Sequence, residues 1–130
     1  SLEAVLWKKL CWNIPFNGLA IAAGGVTTDQ IVGHLPWRAR ARRLMDEVSA
    51  AAAARGYPFD EKHIRWQLEM TEGMGAYRPS SLIDYQAGRE VEVEGIWAEP
   101  LRRGEAAGVA MPELRALLAE ILARLDARGG

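Results

Sequence analysis

The stretch "LWKKLCWNIPFNGLAIAAGG" (Leu6–Gly25) decides how the chain is read. Leu2, Val5, Leu6, Leu10, Ile14 and Leu19 recur at helical spacings rather than at every second position, so residues 2–23 predict one long helix. Pro15 lies inside it. Proline removes a backbone hydrogen bond and crowds the carbonyl four residues back, so a kink near Cys11 is expected. Gly24 and Gly25 then end the helix, because positive backbone dihedrals cost glycine little.

Within this apolar helix Lys9, Asn13 and Asn17 stand four residues apart. At a rise of 1.5 Å per residue they form one ridge about 12 Å long on a single face. An exposed polar stripe of an amphipathic helix is the plain interpretation. Two features favour a site instead. Trp7, Leu10, Trp12, Ile14 and Phe16 occupy the remaining faces, so the helix should be buried on most sides. Asparagine is also a mediocre helix former. A lysine with two amides on a rigid element suits an anionic or carbonyl ligand, since lysine brings charge and a transferable proton and each amide both donates and accepts.

The rest of the chain is read as helices joined by short turns, and the fold class is all-α over one domain, residues 1–130. "TTDQIVG" predicts a short helix capped by Thr27 or Thr28. Pro36 opens a helix running to about Arg55, whose alanine run, Ala50 to Ala54, lets another helix come close. Asp60 caps a helix to about Gly73. After the loop "GMGAYRPSS" a short helix starts at Ser80 or Ser81 and ends by Gly88. "VEVEGIWAEPLRRGEAAG" predicts a helix despite Pro100, with an edge strand over "EVEVE" as the alternative. In the last helix, opened by Pro112, Leu114, Leu117, Leu118, Ile121, Leu122 and Leu125 make one apolar stripe, for the core or for a partner.

Composition excludes several classes. The net charge is -1 with interspersed signs, so nothing suggests a nucleic-acid partner. "RARARR" (Arg38–Arg43), the one basic cluster, is expected to be a solvated helix face, with a phosphate or partner contact as the alternative. The single cysteine, Cys11, precludes an internal disulfide and fits a reducing, cytoplasmic setting. No apolar run reaches the roughly 20 residues a membrane helix needs. His34 and His63 are isolated, and no metal-ligand spacing appears.

A second polar group lies in "RPSSLIDYQAGREVEVEG" (Arg78–Gly95). Ser80 and Ser81 can cap a helix, and "SLID" (Ser81–Asp84) looks like a capping box. Glu90, Glu92 and Glu94 suit a helix N-terminus, where the dipole favours carboxylates.

Taken together, "LWKKLCWNIPFN" and "PSSLIDYQAGREVEVEGIWAEPLRRGEAAGVAMPEL" resemble the C-terminal domain of the ketopantoate reductase (2-dehydropantoate 2-reductase) family, in order and spacing over nearly the whole chain. The resemblance implies a helical domain akin to that of 6-phosphogluconate dehydrogenase. It also implies NADPH-dependent reduction of 2-dehydropantoate in pantothenate biosynthesis, with the nucleotide on an N-terminal Rossmann domain absent from this chain. On that reading Lys9 is the catalytic lysine and general acid, and Glu92 works beside it. Asn13, Asn17 and Ser80 bind the substrate. Ser80 is preferred to Ser81 because it keeps Asp84 and Glu92 in register. Thr27 and Leu82 depart from the family pattern, so the substrate is 2-dehydropantoate or a related 2-oxo acid. The implied partners are that small molecule, the Rossmann domain and a second copy in a homodimer.

No G-x-G-x-x-G follows a strand, so the domain alone is expected to be inactive. The first residue, Ser1, is expected to follow an upstream segment. The competing interpretation is a stand-alone helical oligomerisation or scaffold module with an inert polar row.

Overall fold

The structure is a computed structural model and describes residues 1–129. Among the described residues there are helices and no strand. The edge-strand alternative over "EVEVE" is therefore not realised. Seven α-helices follow in order: α1 (Leu2–Ala22), α2 (Thr28–Val32), α3 (Leu35–Ala54), α4 (Glu61–Glu72), α5 (Ser80–Gln86), α6 (Glu99–Ala106) and α7 (Pro112–Gly129). A π-helical turn, Glu94–Ala98, leads directly into α6.

Local chemistry sets most boundaries. The Ser1 hydroxyl accepts from the Ala4 N–H at 3.2 Å and starts α1, which runs on through Pro15 to Ala22. Thr27 caps α2, with Gln30 Oε1 accepting its backbone N–H at 2.9 Å. The Asp60 carboxylate accepts from the His63 N–H at 3.1 Å and starts α4. α7 is capped from another helix: Glu47 on α3 accepts the Glu113 and Leu114 N–H groups, each at 2.9 Å.

α1 is the hub, packing on α3 above all and also on α7, α5, α2 and the π-helical turn. Every residue from Ile14 to Ile21 is buried. Gly18 lets this half of α1 lie flush against its neighbours. A Cβ there would stand 2.6 Å from Leu117 Cδ2 and 2.9 Å from Trp97 Nε1, so any side chain would force them apart. Leu114, Leu117 and Ile121 of the α7 stripe are buried, and Leu118 and Leu125 pack against the core at its edge. Only Leu122 of that stripe is exposed, so the stripe serves the core.

Pro100 explains the unusual turn. It has no N–H to give the Ile96 carbonyl and its ring would crowd that carbonyl in an α-helix. The chain widens instead, with the Glu99 N–H reaching the Glu94 carbonyl five residues back. Trp97 is wholly buried by the turn, and its indole N–H donates to the Ile14 carbonyl at 3.1 Å.

The arginine run differs from the solvated face expected for it. Arg40 is partly buried and bridges Glu113 and Glu120 on α7, its Nη2 lying 2.6 Å from Glu120. Arg43 also pairs with Glu113, Arg42 with Asp46 and with Glu61 on α4, and Arg38 with Glu72 at 2.6 Å. Alternate positions along a helix point in different directions, so the cluster divides and ties α3 to two neighbours. No helix among the described residues is long and apolar enough to cross a membrane.

Candidate active site

Lys9, Asn13, Ser80 and Glu92 line one cleft of about 270 Å³, together with Leu6, Leu10, Gly95 and Ile96. α1 supplies Leu6, Lys9, Leu10 and Asn13 at positions i, i+3, i+4 and i+7, which is one helix face. Ser80 is the first residue of α5. Glu92 stands just before the π-helical turn, and its carboxylate accepts the Gly95 N–H at 3.4 Å. Lys9 and Glu92 are exposed to the cleft, and neither takes part in an ion pair among the described residues.

Asn17 stands apart from these four. It does not line the cleft and is 1 % exposed, one turn deeper along α1. Its Oδ1 accepts the Ser81 backbone N–H at 2.8 Å, and its Nδ2 donates to Asn13 Oδ1 at 2.8 Å. Asn13 Nδ2 in turn donates to the Lys9 carbonyl at 3.1 Å. A backbone N–H can only donate, so the Ser81 contact orients the Asn17 amide, which then orients that of Asn13. The start of α5 is thus capped by a side chain of α1. Ser81, which the sequence suggested as opening a capping box with Asp84, is buried inside the helix, and Asp84 pairs with Arg89 at 3.0 Å. Ser80 and Ser81 divide cleanly: one faces the cleft, the other gives its N–H to the relay.

Sequence reasoning missed Leu6, Leu10, Gly95 and Ile96 as cleft residues. The signal for the first two was present, since they share the helical face of Lys9. Gly95 and Ile96 depended on a turn that no periodicity announced.

Other groups offer less. A wider groove of about 690 Å³, lined by Lys8, Pro58, Phe59, Asp60, Lys62, His63 and Trp66, contains none of the five predicted residues. Volume does not choose between the two depressions; convergence of polar groups does, and Asp60 is already committed to capping α4. The His63 ring sits between Phe59 and Trp66, 5.3 and 5.9 Å away, and meets Gln67 at 3.0 Å. Burial pushes the Cys11 thiol up to about 12, so it stays protonated and inert. Among the described residues no group of three His, Cys, Asp or Glu side chains converges to hold a metal ion.

Comparison with known proteins places the domain. Residues 1–124 match the family described as "Ketopantoate reductase PanE/ApbA C terminal". The chain is 38% identical over 111 residues to a 2-dehydropantoate 2-reductase of Nostoc sp., covering 85% of this chain and 34% of that protein. Among solved structures it superimposes on 2-dehydropantoate 2-reductase from Methylococcus capsulatus with a TM-score of 0.90 at 32% identity, covering 98% of this chain and 40% of that one. For the enzyme from Geobacter metallireducens the TM-score is 0.88 at 35% identity, with 94% and 41% covered. The chain spans about a third of the length of the curated relative from Nostoc. With its helical architecture and a match over nearly its whole length, the chain belongs to the ketopantoate reductase PanE/ApbA family and corresponds to that family's C-terminal domain.

Proposed function

We propose that this domain is the substrate-holding, proton-donating half of an NADPH-dependent reductase that converts 2-dehydropantoate, or a related 2-oxo acid, to the 2-hydroxy acid. The observation that carries the reading is the convergence of Lys9, Asn13, Ser80 and Glu92 from three elements on one cleft. Reduction of a ketone builds negative charge on its oxygen. A nearby ammonium stabilises that charge and then gives up its proton, which is the role assigned to Lys9. Glu92, with Oε1 held by the Gly95 N–H, has Oε2 left to orient the Lys9 ammonium or the nascent hydroxyl. Asn13 and Ser80 hold the substrate's carboxylate and hydroxyl in line with Lys9. Asn17 acts at one remove, by fixing the Asn13 amide and the start of α5.

The nicotinamide nucleotide supplies the hydride when bound. The described residues do not fit it: they include no strand, and the Gly24–Gly25 pair closes a helix instead of leading a strand into one. In the reductase proposed here the nucleotide is held by an N-terminal Rossmann domain, and this helical domain by itself is expected not to turn substrate over. An oligomerisation module would turn the α7 stripe outward, whereas Leu114, Leu117 and Ile121 face the core. The test is Lys9→Ala in the full-length protein. Turnover should fall at least 100-fold, while the melting temperature stays near that of the parent, because the Lys9 side chain is exposed and unpaired. Turnover within tenfold of the parent overturns the assignment.

A further inference from the structure

The cleft has two chemically distinct sides. Lys9, Asn13, Ser80 and Glu92 are polar, whereas Leu6, Leu10 and Ile96 present only aliphatic carbon. No aromatic ring lines it, and Lys9 is its only cation. A ligand held there has one acidic group to pair with Lys9 and the amides. A second acidic group would meet aliphatic carbon or the Glu92 carboxylate, a cost that no compensating contact offsets.

The three aliphatic residues differ in how firmly they are held. Leu6 is 40% exposed on the open rim, and Leu10 is a core residue that shows the cleft only its edge. Ile96 is half-buried and is fixed by the turn that carries Glu92. Its N–H donates to the Glu92 carbonyl at 3.3 Å, and the next residue, Trp97, is tied to the Ile14 carbonyl at 3.1 Å. As a β-branched side chain it has little χ1 freedom, so it makes a stiff wall. Gly95 beside it leaves room, for a Cβ there would stand 3.1 Å from Glu92 Oε1.

From this geometry we infer that Ile96 is the specificity-determining residue of the cleft: it is the stiff wall against which the substrate's side chain packs, with Leu6 on the open rim. The inference rests on the reductase reading above. A rigid wall carried on the same turn as Glu92 fixes the distance between the substrate's side chain and its reacting carbon. Aryl 2-oxo acids are too wide for it, and dicarboxylic ones leave their second charge unpaired.

The experiment compares the full-length protein with its Ile96→Ala and Ile96→Val variants on 2-oxoisovalerate, phenylglyoxylate and 2-oxoglutarate. The parent should rank them in that order by kcat/KM. One methylene in an apolar pocket is worth about 10- to 200-fold in discrimination, so Ile96→Ala should shift the branched-to-aryl ratio toward the aryl acid by at least tenfold. Ile96→Val, which removes one carbon and keeps the branch, should shift it in the same direction by less. Thermal melts establish that the variants are folded. A ratio unchanged within twofold in both variants, with Lys9→Ala still inactive, overturns the role of Ile96 and leaves the reductase reading standing. Turnover that survives Lys9→Ala overturns the reading beneath it.

Discussion

The two halves of α1 live in different surroundings. From Leu2 to Lys9 most side chains are exposed, including Leu2, Val5, Leu6, Lys8 and Lys9. From Ile14 to Ile21 none is. One polar row crosses that boundary, and its members are used accordingly. Lys9, on the open side, has no ion-pair partner among the described residues, and Asn13 still lines the cleft although its amide already meets the Lys9 carbonyl and Asn17. Asn17, on the closed side, has each end of its amide engaged inside the protein. Depth along the helix, more than residue type, separates a group that faces the cleft from one that holds its walls together.

The contrast can be broken most directly at Asn17. Asn17→Ala orphans the buried Ser81 N–H and removes the anchor of the Asn13 amide, and the expected loss is about 3 kcal/mol, read from urea unfolding of this chain. A loss below about 1 kcal/mol would place Asn17 with Lys9 and Asn13 among the lightly held residues. Gly18→Ala probes the same half with a smaller effect. Overpacking against Leu117 and Trp97 costs about 1–3 kcal/mol and improved helix propensity returns about 1, so a net destabilisation of about 1 kcal/mol is expected by the same measurement.

The smallest effect belongs to the open half and depends on pH. The side-chain hydrogen bond from Arg55, joined by that from the Trp7 indole, lowers the Glu3 carboxyl to about 2. Because the folded value lies below the unfolded one, its stabilisation is complete above the ordinary carboxylate pKa near 4.5 and fades as pH falls toward 2. Melting temperatures of the parent and Glu3→Gln should therefore differ at pH 7 and draw together as pH falls from about 4.5 toward 2. A gap unchanged over that interval would mean that the pairing with Arg55 does not hold α1 to α3.

Much of this was legible in the residues, for identifiable reasons. Helix ends at Ser1, Thr27 and Asp60 are written locally, in side chains that reach their own backbone, and the α7 stripe declares its core face by spacing alone. The face of α1 that forms the cleft was legible too. Depth was not: a four-residue interval treats Lys9, Asn13 and Asn17 alike, and burial of the third follows from α5 and α7 packing around it. The capping of α5 by Asn17 and of α7 by Glu47 eluded reading for the same cause, since each joins residues more than 60 positions apart. Pro100 signalled trouble in its helix without saying that the backbone would answer by widening.

That widening has a consequence for how this region tolerates changes in length. A π-helical turn holds one residue more than the α-helical path between the same two ends. Deleting a residue between Glu94 and Ala98 would ask the turn to close as an ordinary α-helix between the same two ends, leaving Glu92 and α6 where they are. Pro100 stands against that path, because its ring would crowd the carbonyl four residues back. A deletion here is therefore tolerated only together with a replacement of Pro100, so in this stretch the number of residues and the identity of one of them are locked to each other.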